Sequence, residues 1–218
     1  ISCWNDGSFQ QCKAARSERQ GKTFIIRRIG KSGRNQRKLN RGPVMSGGKS
    51  TKLKIAGIVR ESIVDGPGIR FVIFAQGCPH HCEGCHNETT HDFDGGYECS
   101  VQRLLTEIDK DPILQGVTFS GGEPMCQAEG FLELGKEIKK RGLNLVIFTG
   151  YTYEYLLEME LFNPAIGELL ELTDYLIDGP FMLSQRDLTL QFKGSRNQRT
   201  INVKATRSTG EMTLCERL

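Results

Sequence analysis

Strand-like and helix-like segments alternate along the chain from Lys54 onward, and this alternation limits the possible folds more than any other feature. The predicted strands are 70–75, 116–120, 143–148 and 175–177. The predicted helices cover about 100–109, where Ser100 is a fitting N-cap, and about 127–141, where Gly142 follows as a stop signal. Alternating strands and helices imply an α/β fold with a parallel sheet and right-handed crossovers.

The length of the chain decides between a closed and an open sheet. A closed eight-stranded β/α barrel typically takes ~250 residues, whereas roughly 160 residues follow Lys54. We therefore expect an incomplete, open parallel β/α barrel, whose open side suits a large substrate such as another protein. The sequence has no apolar run near the ~20 residues that cross a bilayer, so we expect no membrane partner.

The first 44 residues differ in composition from the rest. They carry 11 Lys or Arg against 2 Asp or Glu, although the whole chain has a net charge of only +3. A basic stretch with few apolar residues is typical of a disordered extension. We interpret it as a solvated arm and expect no nucleic-acid partner. Met45 is a candidate native start, which would leave residues 45–218 as the folded domain.

Three cysteines, Cys78, Cys82 and Cys85, lie in one short loop with the spacing C-x3-C-x2-C. Cubane iron–sulfur clusters are normally held by cysteine thiolates, and three thiolates would leave one iron of a [4Fe–4S] cluster open for another ligand. The rival interpretation is a structural Cys3His zinc module, with a fourth ligand from a nearby histidine. The candidate histidines are His80, His81 and His86. Eight cysteines without a signal peptide indicate a reduced, cytoplasmic protein.

Two further segments follow predicted strands. Residues 120–124 read Ser-Gly-Gly-Glu-Pro after one strand, and Thr149-Gly150 follow the next. Ligands of parallel sheets gather at the carboxyl ends of the strands. We therefore expect both segments to meet the cysteine loop at a single site.

The cysteine spacing and the GGEP segment together resemble the radical S-adenosylmethionine (SAM) superfamily. The resemblance implies that Cys78, Cys82 and Cys85 ligate a [4Fe–4S] cluster whose open iron is chelated by SAM. It also implies cofactor-binding residues at the methionine and adenosine ends of SAM. These residues are Gly121, Gly122, Glu123 and Pro124 for the methionine end, and Thr149 and Gly150 for the adenosine end. The aromatic residue that the superfamily places before the third cysteine is replaced here by Gly84.

Other strings are similar to a subgroup, the activating enzymes of glycyl-radical enzymes. The segment VDGPGIR at 64–70, followed by FVIFAQGC and CHN, carries this similarity. LIDGPF at 176–181 and FKGSRNQR at 192–199 resemble the activating protein of anaerobic ribonucleotide reductase. An activase of the pyruvate formate-lyase type is the alternative. The resemblance covers about 55–203, and the last residues lie outside it.

This resemblance implies an oxidoreductase. One electron from the reduced cluster cleaves SAM into methionine and a 5′-deoxyadenosyl radical, which removes a hydrogen atom from a glycine of the partner. The expected partners are the large anaerobic ribonucleotide reductase and an electron donor such as flavodoxin. Asp65 and Asp178 either contact the partner's loop or have local structural roles. For Asn197 and Arg199, a local hydrogen-bond network is favoured over partner binding. The cysteines predicted to be bystanders are Cys3, Cys12, Cys99, Cys126 and Cys215.

Overall fold

A computed structural model describes residues 51–215 of the chain. The predicted basic extension 1–44 and the suggested start at Met45 lie outside the described residues. Seven strands form one sheet in this region. They are β1 Lys52–Ser62, β2 Arg70–Ala75, β3 Tyr97–Ser100, β4 Gly116–Gly121, β5 Asn144–Phe148, β6 Tyr175–Asp178 and β7 Arg199–Asn202.

The sheet is mixed, and the described strands do not close into a ring. Its order is β3-β1-β2-β4-β5-β6-β7. The central strands β2, β4, β5 and β6 pair in parallel. The outer pairs β1–β2, β1–β3 and β6–β7 are antiparallel. The prediction of an α/β fold with an open sheet is thus confirmed, while the parallel arrangement holds only at the centre.

Five α-helices connect or follow the strands. They are α1 Val101–Ile108, α2 Ala128–Lys140, α3 Tyr153–Met159, α4 Pro164–Leu172 and α5 Val203–Thr209. Four of the five begin at a capping side chain; Ser100, for example, accepts a hydrogen bond from the Arg103 amide, and Pro164 occupies the first turn of α4. The exception is α2, which follows Gln127, a residue whose side chain makes no capping bond. Gly142 follows α2 with φ +74°, the left-handed conformation that glycine adopts without strain. None of the helices within residues 51–215 is both long and apolar enough to span a membrane.

The helices pack on one face of the sheet and form the main core there. Alternate strand residues point to this face, as the period of a strand requires. Phe71 and Ile73 of β2 and Phe119 of β4 are fully buried in this core, and the Phe119 and Phe131 rings lie 4.5 Å apart. Phe131, Leu134 and Ile138 of α2 all lie in this core.

The opposite face of the sheet carries polar residues and is covered by the loop 63–69. Arg70, at the start of β2, is fully buried on this face. Its guanidinium donates to Thr118 Oγ1 at 2.6 Å, to the Val117 carbonyl at 2.6 Å and to the Pro67 carbonyl at 3.0 Å. Thr118 in turn donates to the Asp65 carbonyl. These bonds fix the covering loop against the centre of the sheet.

Candidate functional site

The parallel centre of the sheet brings four loops to one edge. In the pairing register, Ala75 at the end of β2 lies beside Gly121 at the end of β4. Phe148 at the end of β5 lies beside Ile177 of β6. The cysteine loop, residues 76–96, therefore begins beside the GGEP segment, residues 121–124. Thr149 and Gly150 follow β5 at the same edge, as predicted.

A pocket opens at this edge of the sheet. Its volume is about 500 Å³, and all three cysteines of the loop contribute to its wall. Of the other predicted site residues, Asp65, Gly121, Gly122, Thr149 and Gly150 line it. Glu123, Pro124 and Asp178 do not belong to its lining. Eight of the 23 lining residues are thus predicted site residues, from segments up to 85 residues apart along the chain.

Backbone N–H groups are directed at the cysteine sulfurs. Burial, and next the charge of Glu123, raise the pKa of the Cys78 thiol to about 12, and hydrogen bonds from the backbone of His80 and His81 oppose this rise. Burial also raises the pKa of Cys82, against a hydrogen bond from the backbone of Phe181. The Asn87 amide donates to Cys85 Sγ at 3.4 Å.

These donors suit a polythiolate centre, because hydrogen bonds to sulfur are among the factors that set the reduction potential of iron–sulfur clusters. Ligation requires the thiols to lose their protons, which a bound metal accomplishes. Within residues 51–215, no three His, Cys, Asp or Glu side chains lie close enough together to hold one metal ion.

The two glycines of the GGEP segment permit close contact between backbones. Gly121 has φ +89°, and a Cβ atom there would lie 2.7 Å from Phe74 Cα. A Cβ atom on Gly122 would lie 2.4 Å from the Gly77 carbonyl oxygen. The amides of Gly122 and Glu123 donate to the carbonyls of Ala75 and Gly77, both at 2.8 Å. The segment is therefore packed directly on the start of the cysteine loop, a constraint that the sequence alone did not reveal.

The Glu123 side chain lies behind the pocket wall and is fully buried. Its carboxylate accepts hydrogen bonds from His80 Nε2 at 2.8 Å, from Thr149 Oγ1 at 2.9 Å and from the Gly150 amide at 2.9 Å. The Met125 amide donates to the same carboxylate at 3.0 Å. These bonds direct the carboxylate toward neighbouring loops rather than into the pocket.

Asp178 is also fully buried, at the end of β6. Its carboxylate is ion-paired with Arg199 and accepts a hydrogen bond from the Tyr153 amide at 2.8 Å. Arg199 also pairs with Glu154 at 2.8 Å. Asn197 donates to the Pro180 carbonyl at 2.8 Å and accepts from Ser195 Oγ. All of these side chains take part in local networks, which is the role favoured for Asn197 and Arg199.

Asp65 is placed differently, because it lines the pocket. Its carboxylate accepts a hydrogen bond from Ser62 Oγ at 2.5 Å. The adjacent Val64 lines the pocket as well and is 72% exposed. Asp65 therefore combines a turn-stabilising bond with a position at the pocket mouth, and either of its two predicted roles remains open to it.

One wall of the pocket comes from residues that the sequence argument did not assign to the site. They belong to a cover loop, residues 180–198, which contributes Phe181, Leu190, Phe192 and Lys193. Lys193 is the only Lys or Arg in this lining within residues 51–215. The loop has no helical or strand periodicity, so pattern analysis assigned no element to it; only the end of LIDGPF and the string FKGSRNQR marked it, and then as a family resemblance.

The cover loop also accounts for Gly84, the departure from the superfamily pattern. Gly84 has φ +70°, and a Cβ atom there would lie 3.0 Å from Leu183 Cδ1. The space beside the third cysteine is thus occupied by a side chain from the cover loop. Phe181 of the same loop lies near His86, with ring centroids 5.5 Å apart.

The cysteines predicted to be bystanders lie outside the pocket lining where the structure describes them. Cys99 is buried in the core beneath the helices. Cys126 follows the GGEP segment, and its amide donates to the Glu123 carbonyl at 3.1 Å. Cys215 pairs through its backbone with Thr200 of β7. Cys3 and Cys12 lie outside the described residues.

Known proteins match this chain in sequence. A family model described as a 4Fe-4S single cluster domain matches residues 64–201. Pyruvate formate-lyase 1-activating enzyme of Escherichia coli (strain K12) is 40% identical over 120 residues, which are 52% of this chain and 46% of that enzyme. Anaerobic ribonucleoside-triphosphate reductase-activating protein of Vibrio cholerae is 33% identical over 144 residues, which are 62% of this chain and 89% of that protein. The crystal structure of QueE from Escherichia coli aligns with 46% of this chain and 53% of its own, at 22% identity and a TM-score of 0.36.

The fold and the pocket define a protein with three cysteines around one pocket at the edge of an open α/β sheet. The chain belongs to the 4Fe-4S single cluster domain family. Its relatives in this family are activating proteins, in agreement with the resemblance of its sequence to the radical SAM superfamily. It spans about half the length of the pyruvate formate-lyase-activating relatives that it matches.

Proposed function

We propose that this protein is a radical SAM activating enzyme that generates a glycyl radical on the large anaerobic ribonucleotide reductase. Cys78, Cys82 and Cys85 would hold a [4Fe–4S] cluster, with SAM on the open iron. When bound, the cluster supplies the electron for reductive cleavage of SAM. The protein's own residues bind and orient these groups and exclude competing reactions.

The observation that carries this proposal is the shared pocket. Three cysteines with backbone N–H groups at their sulfurs line one cavity with the backbone of Gly121 and Gly122. Thr149 and Gly150 complete that wall. A volume of about 500 Å³ is within the range of pockets for small molecules and cofactors. We therefore propose that Gly121 and Gly122 contact the methionine end of SAM and that Thr149 and Gly150 lie nearer its adenosine end.

We further propose that the described sheet is an incomplete barrel of the radical SAM type. The four parallel strands at its centre and the site at their carboxyl ends support this assignment. The antiparallel strands at both edges take the place of further β/α units.

The choice of ribonucleotide reductase as partner rests on the extent of the match. The activating protein from Vibrio cholerae is matched over 89% of its length, against 46% for the pyruvate formate-lyase 1-activating enzyme. The higher identity of the latter, 40% against 33%, is confined to a shorter segment. An activase of the pyruvate formate-lyase type remains the second candidate because of that identity.

The mouth of the pocket is suited to a protein substrate. Val64 lines the pocket and is 72% exposed; its chain neighbour Ile63 is 73% exposed, and Leu188, two residues from the lining residue Leu190 of the cover loop, is 77% exposed. Exposed apolar side chains near a pocket are typical of interaction sites. We propose that a glycine-bearing loop of the reductase contacts this rim and closes the pocket from water. A flavodoxin-like electron donor and a cytoplasmic location complete the proposal.

The first experiment tests the cluster. Anaerobic reconstitution should give about four irons per chain, as cubane ligation implies. Changing Cys78, Cys82 or Cys85 to Ala should abolish both the cluster spectrum and SAM cleavage. Cys99→Ala, in the core, is the matched control and should retain both. Equal loss in the control would mean that the ligand set is misassigned.

The second experiment tests the partner. The reduced protein with SAM should give a glycyl-radical electron paramagnetic resonance signal when the large anaerobic reductase is added. Replacing the target glycine of the reductase by Ala should remove the signal while complex formation persists. Activation of pyruvate formate-lyase but not of the reductase would overturn the choice of partner and leave the radical SAM assignment standing.

A further inference from the structure

The buried carboxylate of Glu123 connects three separate loops. It bonds to His80 in the cysteine loop, 43 residues earlier, and to Thr149 and Gly150 after β5, about 26 residues later. It also bonds to the Met125 amide within its own loop. Among the side chains of residues 51–215, Glu123 alone connects the cysteine loop, the GGEP segment and the loop after β5. It does so because all of these hydrogen bonds end on its one carboxylate.

The surroundings leave His80 little freedom to move. Its side chain is 16% exposed, and its ring lies edge-on to the Tyr151 ring at a centroid distance of 4.4 Å. A Cβ atom at Gly150 would lie 2.3 Å from His80 Cδ2, so a side chain at position 150 would displace the ring. The ring is thus held in a narrow slot, with Nε2 directed at the carboxylate. Cys78 and Cys82 flank this histidine in the sequence, two residues away on each side.

We propose that His80 and Glu123 form a latch that holds the cysteine loop against the other two loops and thereby sets the position of the cluster relative to bound SAM. This inference rests on the proposed function and makes His80 and Glu123 positioning residues. Glu123 lies outside the pocket lining and acts through the loops, whereas His80 also lines the pocket. In effect, the Glu of GGEP serves the methionine end of SAM by fixing the backbone that approaches it.

Two variants of His80 separate its hydrogen bond from its ring. His80→Phe keeps an aromatic ring in the slot but removes the donor to Glu123. His80→Gln keeps a donor of similar reach and loses the ring. Glu123→Gln keeps the side-chain shape but faces the Gly150 amide with an uncharged group. Glu83→Gln is the matched control, since Glu83 is an exposed carboxylate in the same cysteine loop.

The measurements are made on the full chain with its cluster, under anaerobic conditions. We expect His80→Phe and Glu123→Gln to retain the irons, because all three cysteines remain. We expect their SAM dissociation constant to rise about tenfold, a typical effect of removing a group that orients metal ligands. The change in the cluster's electron paramagnetic resonance signal on SAM addition should also shrink. His80→Gln should stay within about threefold of the native protein, and Glu83→Gln should match it.

A readout without SAM keeps the latch testable apart from the proposed function. Iron release to a ferrous chelator should be about tenfold faster in His80→Phe than in the native chain, and His80→Gln should restore most of the native rate. Should Glu123→Gln fail to fold, the His80 pair still decides the question. If the native chain binds a cluster but not SAM, the proposed function fails, while the release rates still support or refute the latch. Native release rates in His80→Phe, or equal impairment in His80→Gln and His80→Phe, would overturn it.

Discussion

Arg70 shows how one residue fixes the loop 63–69 against the centre of the sheet. Burial lowers the pKa of its guanidinium to about 10, against the opposing charges of Asp174 and Asp65, so the side chain remains charged at neutral pH. Its donors are satisfied by carbonyl, hydroxyl and amide oxygens rather than by a directly bonded carboxylate. A buried charge of this kind depends on a full set of hydrogen bonds.

Replacing Arg70 should therefore be costly. We expect Arg70→Met to lower the free energy of unfolding by about 3–5 kcal/mol, because several buried oxygens lose a charged donor at once. Arg70→Lys should lose less, since it keeps the charge but not the planar fork. Anaerobic denaturant unfolding followed by circular dichroism measures the change. Arg103→Met, at an exposed position on α1, is the control and should stay within about 0.5 kcal/mol.

For single residues, the sequence indicated which side chains belong to the site better than it indicated what each side chain does. The cysteines were recognisable because ligand type and spacing are local properties. The role of Glu123 was not, because its hydrogen-bond partners His80 and Thr149 are distant in sequence. Burial of Asp178 under Arg199 was hidden for the same reason. Contacts made through the fold have no signature in a short window of residues.

Among the elements, the paired backbones of the cysteine loop and the GGEP segment leave no room for added volume. We expect Gly122→Ala to destabilise the protein by about 1–3 kcal/mol, because its Cβ atom would meet the Gly77 carbonyl oxygen at 2.4 Å and backbone must move. Iron content after reconstitution should fall as well, since the cysteine loop would shift.

Gly57→Ala is the matched control for this prediction. Gly57 lies in β1, and a Cβ atom there meets no described heavy atom within 4 Å. Alanine at such a position should be neutral or stabilise by up to about 1 kcal/mol. Unfolding free energies and iron content are compared for the two variants. Equal behaviour would show that the close approach at Gly122 carries no special cost.

Asp174 connects elements at the opposite end of the sheet from the pocket. Its carboxylate bonds to the Leu145 amide of β5 at 2.7 Å and pairs with Lys139 of α2 at 2.6 Å and Lys204 of α5 at 2.5 Å. Burial opposes ionisation of this carboxyl, but the hydrogen bonds from Lys139 and Lys204 outweigh burial and lower its pKa.

This shift makes stability depend on pH in a defined direction. Because the folded-state pKa lies below the unfolded value of about 3.9, the contribution is present above that pH and is lost as pH falls through the folded pKa. We expect Asp174→Asn to cost about 1–3 kcal/mol at pH 7 and less below pH ~4. Unfolding free energies across pH measure this. Asp94→Asn, at an exposed carboxylate, is the control, and a cost for Asp174→Asn that does not change with pH would contradict the assignment.

Element prediction succeeded where periodicity is strong. β2 has the predicted bounds, and α2 differs from its predicted range by one residue at each end. The short elements β3, α3 and α5 were not predicted, since each spans only four to seven residues. Their formation depends on pairing with β1 and on packing against the core. The antiparallel strands at the edges of the sheet result from these pairings. The alternation of strand and helix patterns along the sequence does not predict them.

At the scale of the whole molecule, the open sheet and the shared pocket follow from a topology that the sequence indicated. The cover loop was the part that it could not indicate. Loop 180–198 is held by scattered bonds, such as those from the amides of Gly194 and Ser195 to Gln198 Oε1, and by the ion pair of Arg196 with Asp187. Such contacts have no repeating pattern. The cover loop nevertheless forms one wall of the site.

The basic extension gives the last prediction. Its composition lacks the apolar residues needed to build a core, and the described sheet begins with β1 at Lys52. We expect a chain that begins at Met45 to fold, to bind about four irons and to bind SAM as the full chain does. A chain that begins at Ile63 is the matched comparison. It lacks β1, which pairs with both β2 and β3, and it should fail to fold. Iron analysis, circular dichroism and SAM binding compare the three chains. A loss of folding or of cluster binding in the chain that begins at Met45 would show that residues 1–44 are required for folding or for cluster binding.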